Sequence, residues 1–541
     1  MKRFSLRKSI PILAIVLSLL LPVGLLCACD KGGVSDTTSA PADTTSAPTE
    51  APTDDVTEAP ATEDTTDGDT EETTSEEPAE TLPADKPTDS AVLTFCDTPL
   101  NVNWITPNVA AEFSVVQDSE QGSVLRLTVA DGKRISDPYV KIDYAAYMET
   151  VGLDPVAWND CGAALILMKV EKATNTLVEM TAYNKSGTKA KSISGSNRFS
   201  KTEAGWQYVM IPLVEESAEG GLTELRLDFL DNPAASGETV YVKSITFVKD
   251  KVAALQMMGT VLVNPSTATV VIPGLTRDYT FLHVTDTHAS AFSADDIAAW
   301  TPTRLNYNTS RRNSFVSGGL FAEERFPLLF DYATEIGADG MFLTGDLIDF
   351  PSEKNIALLY NNVNRFGGKS IFCLGNHDWN YSDDYMTGNS ATVNRPLFND
   401  LTGGDPYISY TEYDEFLVVA IDNSSDAVTQ ETVDKFLALY EKDKPIILLL
   451  HVPFHVDTLE PTVKSVWGRN ITMGPGAMGG DWSSVVQLYN AVCVAEDTPV
   501  VAVFAGHVHL NHEDVFQNGV PQYVTSTGYT GDCRVVTVKG S

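Results

Sequence analysis

Between residues 276 and 541 the chain repeatedly builds a short apolar run and ends it with histidine, aspartate or asparagine. FLHVT runs into Asp286-Thr287-His288, and MFLT into Gly345-Asp346. IFCL runs into Gly375-Asn376-His377-Asp378, IILLL into His451, and VVAVFA into Gly506-His507-Val508-His509. Runs this short and this apolar read as strands covered on both faces. The stretches between them predict helices over 321–336, 353–366, 427–442 and 482–495, with Gly337 placed to cap the first. Strands alternating with helices mean βαβ units. Residues 404–424 add two antiparallel strands, YISYTEY and EFLVVAID. Asp346 and Asn376 lie 30 residues apart, about one crossover, so their strands can be parallel neighbours. Ligands of open α/β sheets bind at the carboxyl ends of the strands, which is where these polar residues fall.

The histidines are concentrated there. Of eight in the chain, five (His288, His377, His451, His507 and His509) occupy these loops. His283 sits inside an apolar run and reads as a core residue. His455 and His512 fit no ligand spacing and read as surface or outer neighbours. Asp286 and His288 are two apart, as are His507 and His509, a spacing that in extended chain aims both side chains to one side.

The set D-x-H, G-D, G-N-H-D, H and G-H-x-H, in this order, resembles the calcineurin-like metallophosphoesterase superfamily over roughly 276–541. The resemblance implies a four-layer α/β/β/α sandwich and a two-metal site. It implies that Asp286, His288 and His509 hold one ion, that Asn376, His451 and His507 hold the other, and that Asp346 bridges them. Imidazole, carboxylate and amide oxygen without thiolate suit Mn, Fe or Zn. It further implies that His377 protonates the leaving oxygen. Asp378 is then placed to orient the His377 ring, and Asp349 reads as structural. Insertions at 289–320 (with Arg304, Arg311 and Arg312) and at 456–482 (with Arg469 and MGPGAMGG) are candidates for the pocket rim.

The rest of the chain is of another kind. Lys2, Arg3, Arg7 and Lys8 precede an apolar run, Ile10–Leu26, that contains Pro11 and Pro22. This is the layout of a secretory signal. Leu26-Cys27-Ala28-Cys29 resembles a bacterial lipobox, which predicts a signal peptide over 1–28 and lipid on Cys29. The alternative is ordinary signal cleavage. Residues 29–90 then form a linker of Thr, Ser, Ala, Pro, Asp and Glu. The chain's net charge of −36 divides into +4 for the first 29 residues, −16 for 30–90 and −24 for 91–541. A tract so polar and charged cannot bury enough apolar surface to offset the entropy of ordering. The acidic remainder argues against nucleic acid as a partner. The seven cysteines are scattered and form no CxxC pair, so isolated buried thiols are expected.

Residues 91–250 carry short alternating segments, among them SVLRLTVA (123–130), GAALILMKV (162–170), WQYVMIPL (206–213) and VYVKSITFV (240–248). They predict an all-β, jelly-roll-like sandwich, which resembles carbohydrate-binding modules. Trp104, Trp158 and Trp206 are candidate sugar platforms, though tryptophans in a sandwich are more often core. Residues 251–275 connect the two parts. The expectation is a lipid-anchored, extracytoplasmic phosphoesterase at the cell surface, with a phosphate ester as substrate, the membrane as anchor and glycan as a candidate partner. The alternative is a glycan-binding lipoprotein whose phosphoesterase-like domain is a scaffold.

Overall fold

The computed structural model describes residues 90–94, 104–130, 138–143, 145–147, 162–171, 177–184, 189–193, 197–198, 204–215, 222–231, 237–385 and 387–541. The leader, Cys29, the acidic linker and Trp158 lie outside them. No helix among the described residues is long and apolar enough to cross a membrane.

The first part is all β. Two antiparallel sheets share the long strand Gly205–Glu215. Its first half pairs with Ala163–Val170 and its end with Lys189–Ile193. The alternation in the sequence sorts the faces. Ile166, Met168, Val170, Val209 and Ile211 point inward and meet Leu225, Leu227 and Val140 of the other sheet in one apolar core. Trp104 is core, edge-on to Tyr147. Trp206 is half-buried on the other side of its strand, its indole N–H donating to Asp118.

The helix Lys251–Met257 closes the sandwich. Its N-cap Asp250 accepts from Ala253 N. Ala254 packs on Ala163 and Val248, while Leu255, Leu262 and Leu320 form a further apolar contact towards the second part.

The second part has the four-layer α/β/β/α architecture. One sheet has the order Asn264–Val271, Asp532–Lys539, Tyr279–Val284, Gly340–Leu343, Lys369–Phe372. The other runs Ile408–Glu412, Leu417–Ile421, Ile446–Leu450, Val500–Ala505, Pro521–Val524, His512–Val515. Alternate residues of each strand face opposite layers. Phe281, Phe342, Val418, Leu449 and Phe504 fill the space between the sheets. Leu282, Val284, Met341 and Leu343 instead meet Phe326, Leu329, Phe330 and Leu359 of the helices Ala322–Glu335 and Glu353–Phe366. Helices Gln430–Ala438 and Ser483–Tyr489 cover the second sheet's outer face. Cys373, Cys493 and Cys533 are free, buried thiols.

The first strand of this part, Asn264–Val271, lies within the stretch read as a connector. It pairs in parallel with the chain's last strand, Asn264 opposite Asp532. Its opening NPST carries no strand signal of its own; only the distant partner makes it one.

Candidate metal centre

All five polar loops meet at the carboxyl ends of the strands. Asp286 and His288 follow Tyr279–Val284, Asp346 follows Gly340–Leu343, and Asn376 and His377 follow Lys369–Phe372. His451 follows Ile446–Leu450, and His507 and His509 follow Val500–Ala505. The first three strands belong to one sheet and the last two to the other, so the site straddles the rim between them.

Two overlapping ligand sets result. In the first, His509 Nε2 lies 3.1 Å from His288 Nε2 and 3.2 Å from Asp286 Oδ1. His288 Nε2 is 3.9 Å from both Asp286 Oδ1 and Asp346 Oδ2. In the second, His451 Nε2 is 3.3 Å from Asp346 Oδ2, 3.1 Å from Asn376 Oδ1 and 3.1 Å from His507 Nδ1. Atoms that share an ion at about 2.0–2.2 Å stand roughly 3.0–3.5 Å apart in tetrahedral or octahedral geometry. Asp346 Oδ2 is common to both sets, as a bridging oxygen must be.

The residues fit cations on a second count. Asp286 Oδ1 is buried and has no hydrogen-bond partner among the described residues, while its Oδ2 accepts from His507 N and Thr285 Oγ1. Burial would push the Asp286, Asp346 and Asp349 carboxyls up, yet neighbouring histidines and, for Asp349, Arg311 hold each of them well below the usual range. Burial alone would lower the His451 imidazole, but the Asp346 and Asp286 carboxylates draw it up to about 10. Three ionised carboxylates gathered out of water favour positive charge at this place.

Outer contacts aim the ligands. His451 Nδ1 donates to Thr344 O at 2.8 Å, so Nε2 is the nitrogen that would face an ion once its proton is displaced. His288 Nδ1 faces Asp349 Oδ1 at 3.0 Å, which does the same for its Nε2. Asn376 Nδ2 donates to the Tyr385 hydroxyl at 2.8 Å, leaving Oδ1 towards His451. The Phe315 ring lies flat on His288, centroids 4.3 Å apart at 2°. Trp467 stands edge-on to His509 at 5.2 Å and donates to Val508 O.

The loops are strained. Seven described non-glycine residues have positive φ, and five of them are Asp286, His288, Asp346, His507 and His509, at 46° to 68°. The two-apart spacing therefore works through left-handed turns rather than the extended chain that the spacing alone suggests. Glycine next to the ligands is obligatory for space: a Cβ on Gly375 would sit 2.1 Å from Asp346 N, and one on Gly506 2.3 Å from Asp286 Oδ2.

Two expected roles change places. Asp378, expected to orient His377, instead accepts the backbone N–H groups of Asp346, Ile348 and Gly375 at 3.0, 3.0 and 2.7 Å. Asp349, expected to be structural, lies 3.2 Å from His377 Nδ1 as well as against His288. Sequence spacing cannot separate the two, because the loop geometry decides which carboxylate turns inward. Burial and then Arg311 push the His377 imidazole down to about 4.

Of the rim arginines, Arg304 pairs with Asp383 and Arg312 with Glu323. Arg311 alone of these three reaches the centre: Nε and Nη2 bind Asp349 at 2.8 and 2.5 Å, and Nη2 lies 3.4 Å from both His377 ring nitrogens. Arg469 is exposed, and Met473 of the glycine-rich run is buried in the second sheet's outer core. His283 is held between the Thr344 and Thr525 hydroxyls, and burial pushes it down to about 3. His455 lies near Asp457 and Glu460, and His512 near Thr458; neither joins the two sets.

Residues 279–511 match the profile of the calcineurin-like phosphoesterase family. The C-terminal domain belongs to that family. Among solved structures, a dimetal phosphatase from Danio rerio is similar at 10% identity and a TM-score of 0.30, covering 46% of this chain and 87% of its own. A purple acid phosphatase from yellow lupin is similar at 12% identity and a TM-score of 0.29, covering 76% and 70%. A family 11 carbohydrate-binding module of a Clostridium thermocellum cellulase is similar at 14% identity and a TM-score of 0.21, covering 29% and 94%. No curated protein matches the chain.

Proposed function

We propose that the protein is a lipid-anchored, extracytoplasmic phosphoesterase that hydrolyses phosphomonoesters or phosphodiesters at a centre of two Mn, Fe or Zn ions. The observation that carries this reading is the pair of ligand sets sharing Asp346 Oδ2. When bound, two such ions supply a water nucleophile at neutral pH and Lewis-acid clamping of the phosphoryl oxygens.

The chain's own residues set the rest. Asp346 fixes the spacing of the two sets through its single shared oxygen, while its Oδ1 accepts the His377 N–H at 2.7 Å. That bond ties the bridging carboxylate to the loop that bears Asn376 and His377. His377 lies between Arg311 and Asp349; burial and Arg311 keep the free ring neutral, so as the proposed acid it would take up its proton in the substrate complex, before the leaving oxygen departs. Phe315 and Trp467 shield the ligand rings from water. The test is turnover of an aryl phosphate and an aryl phosphodiester by the full chain with Mn²⁺, Fe²⁺ or Zn²⁺ and with EDTA. Equal rates with and without chelator, or no turnover with any of the three metals, overturns the reading.

The anchor rests on Leu26-Cys27-Ala28-Cys29 ahead of the acidic tract. Cys29→Ser is expected to move the protein from the membrane to the soluble fraction with unchanged turnover. Continued acyl labelling of that variant refutes the anchor. For glycan, the support is the outer face of the sandwich, where Trp206, Lys169 and Tyr241 stand side by side on paired strands.

A further inference from the structure

A small hairpin joins the metal centre to the stretch of chain that precedes its domain. Its strands are Val316–Ser317 and Leu320–Phe321. Gly318 and Gly319 between them both hold positive φ, the two-residue turn that suits the twist of paired strands. At the base of the hairpin Phe315 is buried and lies flat on the His288 ring. Its carbonyl accepts Ala322 N at 3.0 Å, which closes the hairpin onto the helix Ala322–Glu335. Leu320, on the returning strand, is fully buried and forms one apolar cluster with Leu255 of the helix Lys251–Met257 and with Leu262. Polar contacts repeat the connection. One Glu324 oxygen accepts Phe321 N at 2.8 Å and Lys251 Nζ at 3.1 Å. The buried Arg325 donates through Nη2 to Ser317 O at 2.8 Å and through Nη1 to Leu262 O. Both strands of the hairpin are therefore tied to residues 251–262.

Where the hairpin starts gives these contacts a second consequence. The hydrogen bond between His288 Nδ1 and Asp349 fixes one atom of the ring and leaves its plane free to turn about that bond. The face of Phe315 fixes the plane, and with it the line along which Nε2 points between His509 and Asp286. Phe315 keeps that place only while the hairpin does, and the hairpin is held from residues 251–262. Those residues lie ahead of 279–511, the part that matches the family profile. An ordinary contact between two folded parts would contribute stability and leave the ligands unaffected.

We propose that residues 251–262 are a working part of the metal centre rather than a connector. Through Leu320 they hold the hairpin, the hairpin holds Phe315 on His288, and Leu320 and Phe315 are positioning residues for the ion set of Asp286, His288 and His509. This rests on the two-ion reading for its chemistry, but its test is metal binding, which does not depend on turnover. The probe is Co²⁺, a visible stand-in for Zn²⁺ or Fe²⁺ at imidazole and carboxylate ligands. It is titrated into the metal-free full chain and followed by absorption and calorimetry. In Leu320→Ala one of the two ions should bind about 10-fold more weakly, as removing an outer support of a ligand does, while the other keeps its affinity. The weakened ion should be the one that His509→Ala loses. Leu320→Met, which refills the vacated space, should restore it. Phe315→Leu leaves the Leu320 anchor in place and should weaken the same ion, so the test stands even if Leu320→Ala does not fold. Unchanged affinity for both ions in Phe315→Leu, or in a folded Leu320→Ala, overturns the proposal. So does a loss that falls on the other ion or on both equally, which would mean general loosening. A wild-type chain that binds fewer than two Co²⁺ ions would overturn the two-ion reading itself, and this proposal with it.

Discussion

Asp378 and its three backbone donors give the sharpest test of how the centre is held. The carboxylate is fully buried. Its Oδ2 accepts from Asp346 N and Gly375 N, and its Oδ1 from Ile348 N. It therefore clamps the loop of the bridging aspartate to the loop of Asn376 and His377. Asp378→Asn can keep the amide oxygen on Asp346 and Gly375 but turns an N–H₂ towards the Ile348 N–H, so one donor loses its acceptor. Asp378→Ala strands all three. At about 1–3 kcal/mol per stranded buried donor, Asp378→Asn should cost about 1–3 kcal/mol. Asp378→Ala should cost at least about 3 kcal/mol, less whatever a water entering the vacated space recovers. For a domain of this size each kcal/mol is roughly 2–4 °C in Tm. The assays are thermal unfolding of the metal-loaded full chain, elemental analysis, and kcat/KM over esters of graded leaving-group pKa. Both variants should lower Tm in that order, and their activity loss should be parallel across the ester series, because the loops move together. A loss confined to poor leaving groups, with Tm unchanged, would mean that Asp378 acts through the His377 ring and would refute the clamp.

Asp346→Asn removes the shared charge and should deplete metal from both positions; elemental analysis finding two full ions per chain contradicts the bridge. His377→Ala should cost little on a nitrophenyl ester and about 10²–10⁴-fold on an alkyl ester, whose basic oxygen needs a proton to leave, with metal content retained. Equal losses on both esters would make the residue a phosphoryl binder instead.

The second domain's strands were legible because each is an apolar run covered on both faces, and the clustered candidate residues because each follows such a run directly. Even the helix at 482–495 is present, as Ser483–Tyr489 continued by a π-turn over Asn490–Val494. What sequence does not display is anything set by a distant partner. The NPST opening of Asn264–Val271 becomes strand beside Asp532–Lys539. The roles of Asp349 and Asp378 depend on which way two loops turn, and both are one carboxylate near one histidine on paper. Phe315 and Trp467 sit in insertions whose composition names no function.

The backbone strain bears on what the ions do for stability. Five ligands hold positive φ, a state that costs of order 1–3 kcal/mol at each residue and persists only where the surroundings fix it. Three buried carboxylates add repulsion at the same spot. Hydrogen bonds to His507 N and His377 N hold the loops, but they do not cancel that charge. At the proposed centre cations would, and they would bind the folded chain rather than the unfolded one. An ion present at 100 times its dissociation constant stabilises by about 2.7 kcal/mol, so two contribute about 5 kcal/mol, or roughly 10–20 °C in Tm. EDTA should therefore lower the Tm of the second domain's transition by that order while leaving the sandwich transition in place. Asp346→Asn, which lacks the shared carboxylate, should show most of the drop without chelator and little more with it. Calorimetry in which chelation leaves both transitions unmoved would mean that the strained loops are held by the protein alone, and that the ions are not part of what keeps this rim folded.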